Sequence, residues 1–156
     1  MVDSDTKWEV KAMFMGEFNH TIDPKNRVIV PAKFREGLGE KFVVSAGLDG
    51  CLYLMKNEDW ESFAESLNEL PINKESRQLV RFFMRNAQDC EPDKQGRIII
   101  PQGLVDLAKL EKDVVLTGAG KKVEIWSKER LDAETGDATM EEITESMSQK
   151  YGLRFC

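Results

Sequence analysis

Apolar positions along the chain change period several times, and each change marks a boundary between elements. Val28, Ile29 and Val30 form a β-branched triplet, as do Ile98, Ile99 and Ile100; each predicts a short buried strand that a proline, Pro31 or Pro101, closes. Proline suits the first turn of a helix, where no backbone N–H is needed, so "AKFREGLG" and "QGLVDLAKL" read as short helices. "FVVSAGLDGCLYLM" from Phe42 and "VVLTGAGKKVEIW" from Val114 then read as pairs of strands around a glycine-containing turn. Between these units Trp60, Phe63, Ala64, Leu67 and Leu70 recur at helical spacing, with Asn57 placed to cap the start and Pro71 to mark the end. A second helix carries Leu79, Val80, Phe82, Phe83 and Met84, an apolar face wide enough to pack on the core and on something else. Arg77, Arg81 and Arg85 line its other face as a solvated or salt-bridged stripe. Thr139 to Glu142 form a capping box, after a loop "DAETGDA", and open a last helix with Ile143 and Met147 on one side.

The chain repeats itself. Asp23, Asn26, Arg27, Val28, Ile29, Val30 and Pro31 fall on Asp93, Gly96, Arg97, Ile98, Ile99, Ile100 and Pro101. After one inserted residue the match resumes, with Val43 on Val114 and Gly47 on Gly118. In both copies an aspartate stands four positions before an arginine. Asn26 and Gly96 are the residue types that tolerate positive φ, so each stretch predicts a tight turn closing on a left-handed residue, with Asp23 or Asp93 accepting hydrogen bonds from the turn backbone. The predicted class is α+β. Residues 13–59 and 88–131 form two pseudo-symmetric β-rich repeats, 60–87 a helical insert, and 132–156 a C-terminal helix and tail. Residues 1–12 align with neither repeat and read as an extension or a vector-derived remnant.

With 156 residues, 41% of them hydrophobic, the chain suffices for one domain or for two small ones sharing a core. No apolar run reaches bilayer length and the first residues lack a secretory pattern, which predicts a cytoplasmic protein without a membrane partner. Cys51, Cys90 and Cys156 are odd in number and widely spaced, so reduced thiols are expected rather than a disulfide framework or a zinc site. The single histidine, His20, reads as a polar residue at a strand end. The net charge of −6 is unevenly spread. Residues 13–56 carry six Lys/Arg against five Asp/Glu and residues 93–131 eight against six, so both repeats are locally basic while the segments between and after them hold the acid.

These residues offer little to an enzyme. There is no Ser/His/Asp set, no Cys/His pair in a recognisable context, no P-loop and no dinucleotide-binding glycine pattern. No cofactor, metal or small-molecule substrate is implied. Binding of DNA is better served: Arg27 and Arg97, with Lys25 and Lys94 in the same turns and Lys33 and Arg35 beside the first, would project cations from rigid loops, and arginine suits bidentate contact with phosphate or guanine. An oligomeric interaction module without specific DNA binding is the alternative, since helices with wide apolar faces complete themselves against neighbours.

The run "MFMGEFNHTIDPKNRVIVPAKFRE", the second "DKQGRIIIPQ", the intervening helical pair and the closing "VEIW" resemble the MraZ family of bacterial transcriptional regulators. The resemblance covers about Met13 to Phe155. It implies two repeats of the SpoVT/AbrB type joined as a swapped-hairpin barrel within one chain. It further implies a ring-like homo-oligomer, nucleoid-associated, on repeated promoter boxes of double-stranded DNA upstream of the division and cell-wall gene cluster, the protein's own gene included. The family's motif residues map onto Asp23 and Arg27 and onto Asp93 and Arg97, arginine as the DNA contact and aspartate as the brace.

Overall fold

A computed structural model describes residues 13–134 and 136–154. The strands are β1 (Glu17–Thr21), β2 (Arg27–Ile29), β3 (Phe42–Ala46), β4 (Leu52–Lys56), β5 (Ala87–Cys90), β6 (Arg97–Ile99), β7 (Asp113–Gly118) and β8 (Val123–Ser127). The helices are α1 (Ala32–Leu38), α2 (Asn57–Asn68), α3 (Lys74–Arg85), α4 (Gln102–Leu107), α5 (Lys128–Ala133) and α6 (Met140–Tyr151). The class is α+β, as the periodicity predicts. Each half runs β-β-α-β-β-α-α, so the helical pair after β4 recurs after β8.

Strand pairing interlaces the halves. Six strands form one antiparallel sheet in the order β1-β7-β8-β4-β3-β5, and β2 pairs only with β6. The order is a palindrome in repeat terms: β1 lies on β7 of the other half, and its counterpart β5 lies on β3. Two strands carry no apolar run to announce them, β1 and β5: both are sheet edges without β-branched runs, β1 alternating exposed with half-buried positions and β5 exposed at Gln88 and Asp89. The closed barrel is not formed by strand pairing, since the six-stranded sheet is open and the β2–β6 ribbon stands apart from it. The ribbon's remaining backbone groups turn inward on each other: Val30 N–H donates to Gly96 O at 2.9 Å and Ile100 N–H to Asn26 O at 2.8 Å.

The core lies between the ribbon with α1 and α4 and one face of the sheet. Val28, Val30, Ile98 and Ile100 are buried there with Phe34, Phe42, Leu52, Leu54, Leu116 and Ile125. Burial of each ribbon side chain stabilises by about 1.5–3 kcal/mol, which pins the two short strands that carry the arginines. Ile29 and Ile99 depart from the expected buried triplets: they are 41% and 63% exposed, because alternate residues of a strand face opposite sides and only one side meets the core. A smaller cluster of Cys51, Val115 and Trp126, with Tyr53 and Leu131, covers the other sheet face.

The caps follow the sequence in part. Pro31 and Pro101 sit one position before α1 and α4, at φ −53 and −54, and their carbonyls accept the first helical N–H groups. Thr139 Oγ1 accepts from Glu142 N at 3.1 Å and starts α6. Asn57 begins α2 without capping it, whereas Asn73 Oδ1 accepts from Ser76 N at 2.8 Å and caps α3. Asp132 and Ala133 belong to α5 rather than to a loop, and Thr135, Met1 to Ala12 and Cys156 lie outside the described residues. Of the wide apolar face of α3, Phe83 is buried while Leu79 and Met84 stay exposed, and Arg77, Arg81 and Arg85 are exposed without an ion pair among the described residues.

Candidate nucleic-acid interface

Each half places its turn by the same set of hydrogen bonds. Asn26 N–H donates to Asp23 O at 2.9 Å and Asp23 N–H to Arg27 O at 3.1 Å; in the second turn Gly96 N–H donates to Asp93 O and Asp93 N–H to Arg97 O, both at 2.9 Å. The closing residues are left-handed, Asn26 at φ 61 and Gly96 at φ 80, as their identities require. Asp23 Oδ1 accepts from the backbone of Lys25 and Arg27 at 2.9 Å, and Oδ2 from Arg27 Nε at 2.6 Å. Asp93 repeats this with Gln95 N and Arg97 N at 2.9 Å and Arg97 Nε at 2.8 Å. Each carboxylate therefore fixes both the loop and the root of its guanidinium.

The electrostatics follow from that geometry. The backbone N–H of Arg27 does most to hold the Asp23 carboxyl below the usual carboxylate range; desolvation opposes it next, and the Arg27 side chain and the Lys25 N–H add smaller lowering effects. Asp93 is lowered the same way by the Arg97 N–H first, then the Arg97 side chain and the Gln95 N–H. Both aspartates stay charged, and each neutralises part of its arginine. The Nη groups of Arg27 and Arg97 nevertheless have no acceptor among the described residues, and the two side chains remain 31% and 29% exposed.

Across the ribbon Arg27 stands opposite Ile99, and Arg97 opposite Ile29. The two arginines thus occupy one diagonal of the outer face, with Cα atoms about 7–8 Å apart. Lys25 and Lys94 are exposed at the turn tips. The remaining proposed cations divide. Arg35 reaches across the halves: its Nε donates to Val30 O at 2.9 Å, and its guanidinium lies so close to Gly96 that a Cβ there would meet Cζ at 2.8 Å. Lys33 is elsewhere. Its Nζ lies beside Gly16 at the start of β1, roughly 17 Å along that strand from the turn that follows its end.

One bracing residue escaped the sequence reading. Gln102 Oε1 accepts from Asn26 Nδ2 at 2.9 Å, and Gln102 Nε2 donates to Asp106 Oδ1 at 2.9 Å, so α4 of the second half holds the first turn as Arg35 of the first half covers the second. The two residues are 76 positions apart, and no local pattern links them. His20 lies half-buried near the end of β1. Cys51 and Cys90 are free and buried, and desolvation pushes both thiols up to about 12. Among the described residues no cluster of potential metal ligands forms and no helix is long and apolar enough to cross a membrane.

An internally duplicated α+β chain, interlaced about a pseudo-twofold axis and presenting two aspartate-braced arginines on one ribbon, defines a class of tandem-repeat proteins. Comparison with known proteins gives the class its name. The family described as "MraZ protein, putative antitoxin-like" matches twice, over residues 13–83 and 82–149. The Transcriptional regulator MraZ of Lachnoclostridium phytofermentans is 57% identical over 143 residues, covering 92% of this chain and 100% of that protein. Those of Caldanaerobacter subterraneus subsp. tengcongensis and Clostridium tetani are 50% and 48% identical, covering 86% and 88% of this chain and 96% and 98% of theirs. The chain belongs to the MraZ family.

Proposed function

We propose that this protein regulates transcription by binding double-stranded promoter DNA in a sequence-specific way through the outer face of the β2–β6 ribbon and its two turns. The observation that carries the reading is the pseudo-twofold pair Arg27 and Arg97, each rooted by an aspartate at Nε and each with Nη groups that no described residue accepts. Rigid rooting lowers the ordering cost of contact, and arginine presents the fork that phosphate or guanine accepts. Lys25 and Lys94 add phosphate contacts at the tips, and Arg35 acts mainly as the brace of the second turn. The relatives' name, Transcriptional regulator MraZ, supports the same reading.

Two arginines and two lysines neutralise few phosphates, so one chain binds weakly. The reading therefore includes a ring-like homo-oligomer on repeated boxes, cytoplasmic and nucleoid-associated, in front of the division and cell-wall gene cluster and its own gene. Later contacts are then intramolecular, and effective concentration raises avidity. Exposed apolar residues of α6, Met140, Ile143, Met147 and Tyr151, give such an assembly a surface. The same reading keeps the SpoVT/AbrB-like repeats at 13–59 and 88–131. A nuclease footprint on the DNA upstream of the protein's own gene tests it: protection in boxes repeating at about 10 base pairs is expected, since that spacing presents one DNA face to successive protomers. Uniform, sequence-independent protection, or none, would instead favour an assembly module without specific DNA binding.

A further inference from the structure

Resting on the DNA-binding reading above, we infer that Ile29 and Ile99 read thymine C5-methyl groups in the major groove. Arg27 and Ile29 share the outer face of β2, Arg97 and Ile99 that of β6, and the register sets each isoleucine opposite the other strand's arginine. The four side chains form a rectangle with arginines on one diagonal and isoleucines on the other. Their neighbours Val28 and Ile98 are 0% and 2% exposed, so the ribbon turns its apolar side inward as the core requires. Two large β-branched residues remain outside, at 41% and 63% exposure.

The charge around the pair selects its partner. A second copy docking by the same face would bring Arg27 and Arg97 against themselves, which like-charge repulsion opposes. A polyanion with apolar groups at its readable edge satisfies both diagonals. In the major groove of B-DNA the only apolar group on a base edge is the thymine methyl, and that groove, about 12 Å wide, admits a two-stranded ribbon. RNA does not fit, because uracil lacks the methyl and the A-form major groove is deep and narrow. The isoleucine Cα atoms lie about 7–8 Å apart across their diagonal, close to two base-pair steps of about 3.4 Å. The pseudo-twofold relates them, so each addresses a base on one strand of the duplex.

The experiment is fluorescence anisotropy on promoter DNA carrying the footprinted box, made with thymine or with deoxyuridine in its place, against wild type, Ile29→Ala/Ile99→Ala and Ile29→Val/Ile99→Val. Removing a contacted methyl is expected to weaken wild-type binding about fourfold, and two about fifteenfold. The alanine variant should bind thymine DNA correspondingly weakly and lose nothing further with deoxyuridine. The valine variant, shorter by one methylene at each contact, should show a clearly smaller thymine preference than wild type and decides the matter if the alanine variant misfolds. Equal losses on deoxyuridine DNA in wild type and variants, or no loss in any, would overturn the inference. If Arg27→Ala/Arg97→Ala still abolishes promoter preference in that case, the DNA-binding reading stands without it. Wild-type protein that fails to prefer promoter over shuffled DNA overturns both. A changed sedimentation size in the isoleucine variants, with an unaltered thymine preference, would assign the face to another copy of the chain.

Discussion

Replacing Arg27 and Arg97 together by alanine removes both guanidinium groups from the outer face of the ribbon and leaves its inner face intact. Val28, Val30, Ile98 and Ile100 keep their burial, and the turn backbones keep the bonds that Asp23 Oδ1 and Asp93 Oδ1 accept. Folding should survive, because the two ion pairs lost are surface pairs and such pairs stabilise little. Binding should not. Each phosphate neutralised contributes about 0.9 to the slope of log affinity against log salt, so two lost contacts flatten it by about 1.8 for each chain seated on DNA. Between about 50 and 200 mM salt, that difference amounts to about a twelvefold change in the ratio of wild-type to variant affinity. Titration of labelled promoter DNA at four or five salt concentrations reads the slope directly, with circular dichroism as the folding control. A folded double variant whose salt line overlays that of wild type would refute the proposed interface.

The remaining predictions concern the braces and the core. Asp23→Ala is expected to weaken DNA binding in the same titration, although it removes a negative charge beside Arg27, because three hydrogen bonds that aim the turn go with it; tighter binding would show that the aspartate does not organise the loop. Asp23 and Asp93 have folded pKa values depressed below 3.8, so their contribution to the turns is complete above that pH and is lost as pH falls through the lower folded values. Amide shifts of Arg27 and Arg97 followed by NMR should therefore titrate with midpoints below 3.8, and a midpoint above it would contradict the bonding described. Phe34 is fully buried and meets Phe14 and Phe18 edge-on at centroid distances of 6.0 and 5.2 Å. Phe34→Ala should cost about 3–5 kcal/mol in chemical denaturation, and a loss under about 1 kcal/mol would mean that Phe34 is not part of a tightly packed core.

Local chemistry made much of the site legible. An aspartate, a left-handed residue and an arginine within five positions can satisfy one another without help from the rest of the chain, and the bonds at Asp23 and Asp93 are all within four residues. Five of the six described helices were legible for the same reason, from an apolar period, a preceding proline or a cap, whereas α5 (Lys128–Ala133) was not anticipated and runs into the stretch expected to be a loop. Faces and edges were not. The triplet around Ile29 looks uniformly apolar, and only the docking of β2 and β6 onto the sheet decides that Val28 and Val30 go in while Ile29 goes out. β1 and β5 lack a strong strand signal because their order comes from partners in the opposite half.

By itself, then, the sequence determined that this protein is built twice and that each copy carries a braced arginine turn. The tertiary structure alone decided how the copies interlace. Asn26 meets Gln102 and Gly96 meets Arg35 across the two halves, and the two arginines share a diagonal because β2 and β6 pair in one register. The physical reason is range: turn bonds close over a few residues and are written in their order, whereas strand order and cross-half contacts are fixed by burying one common core.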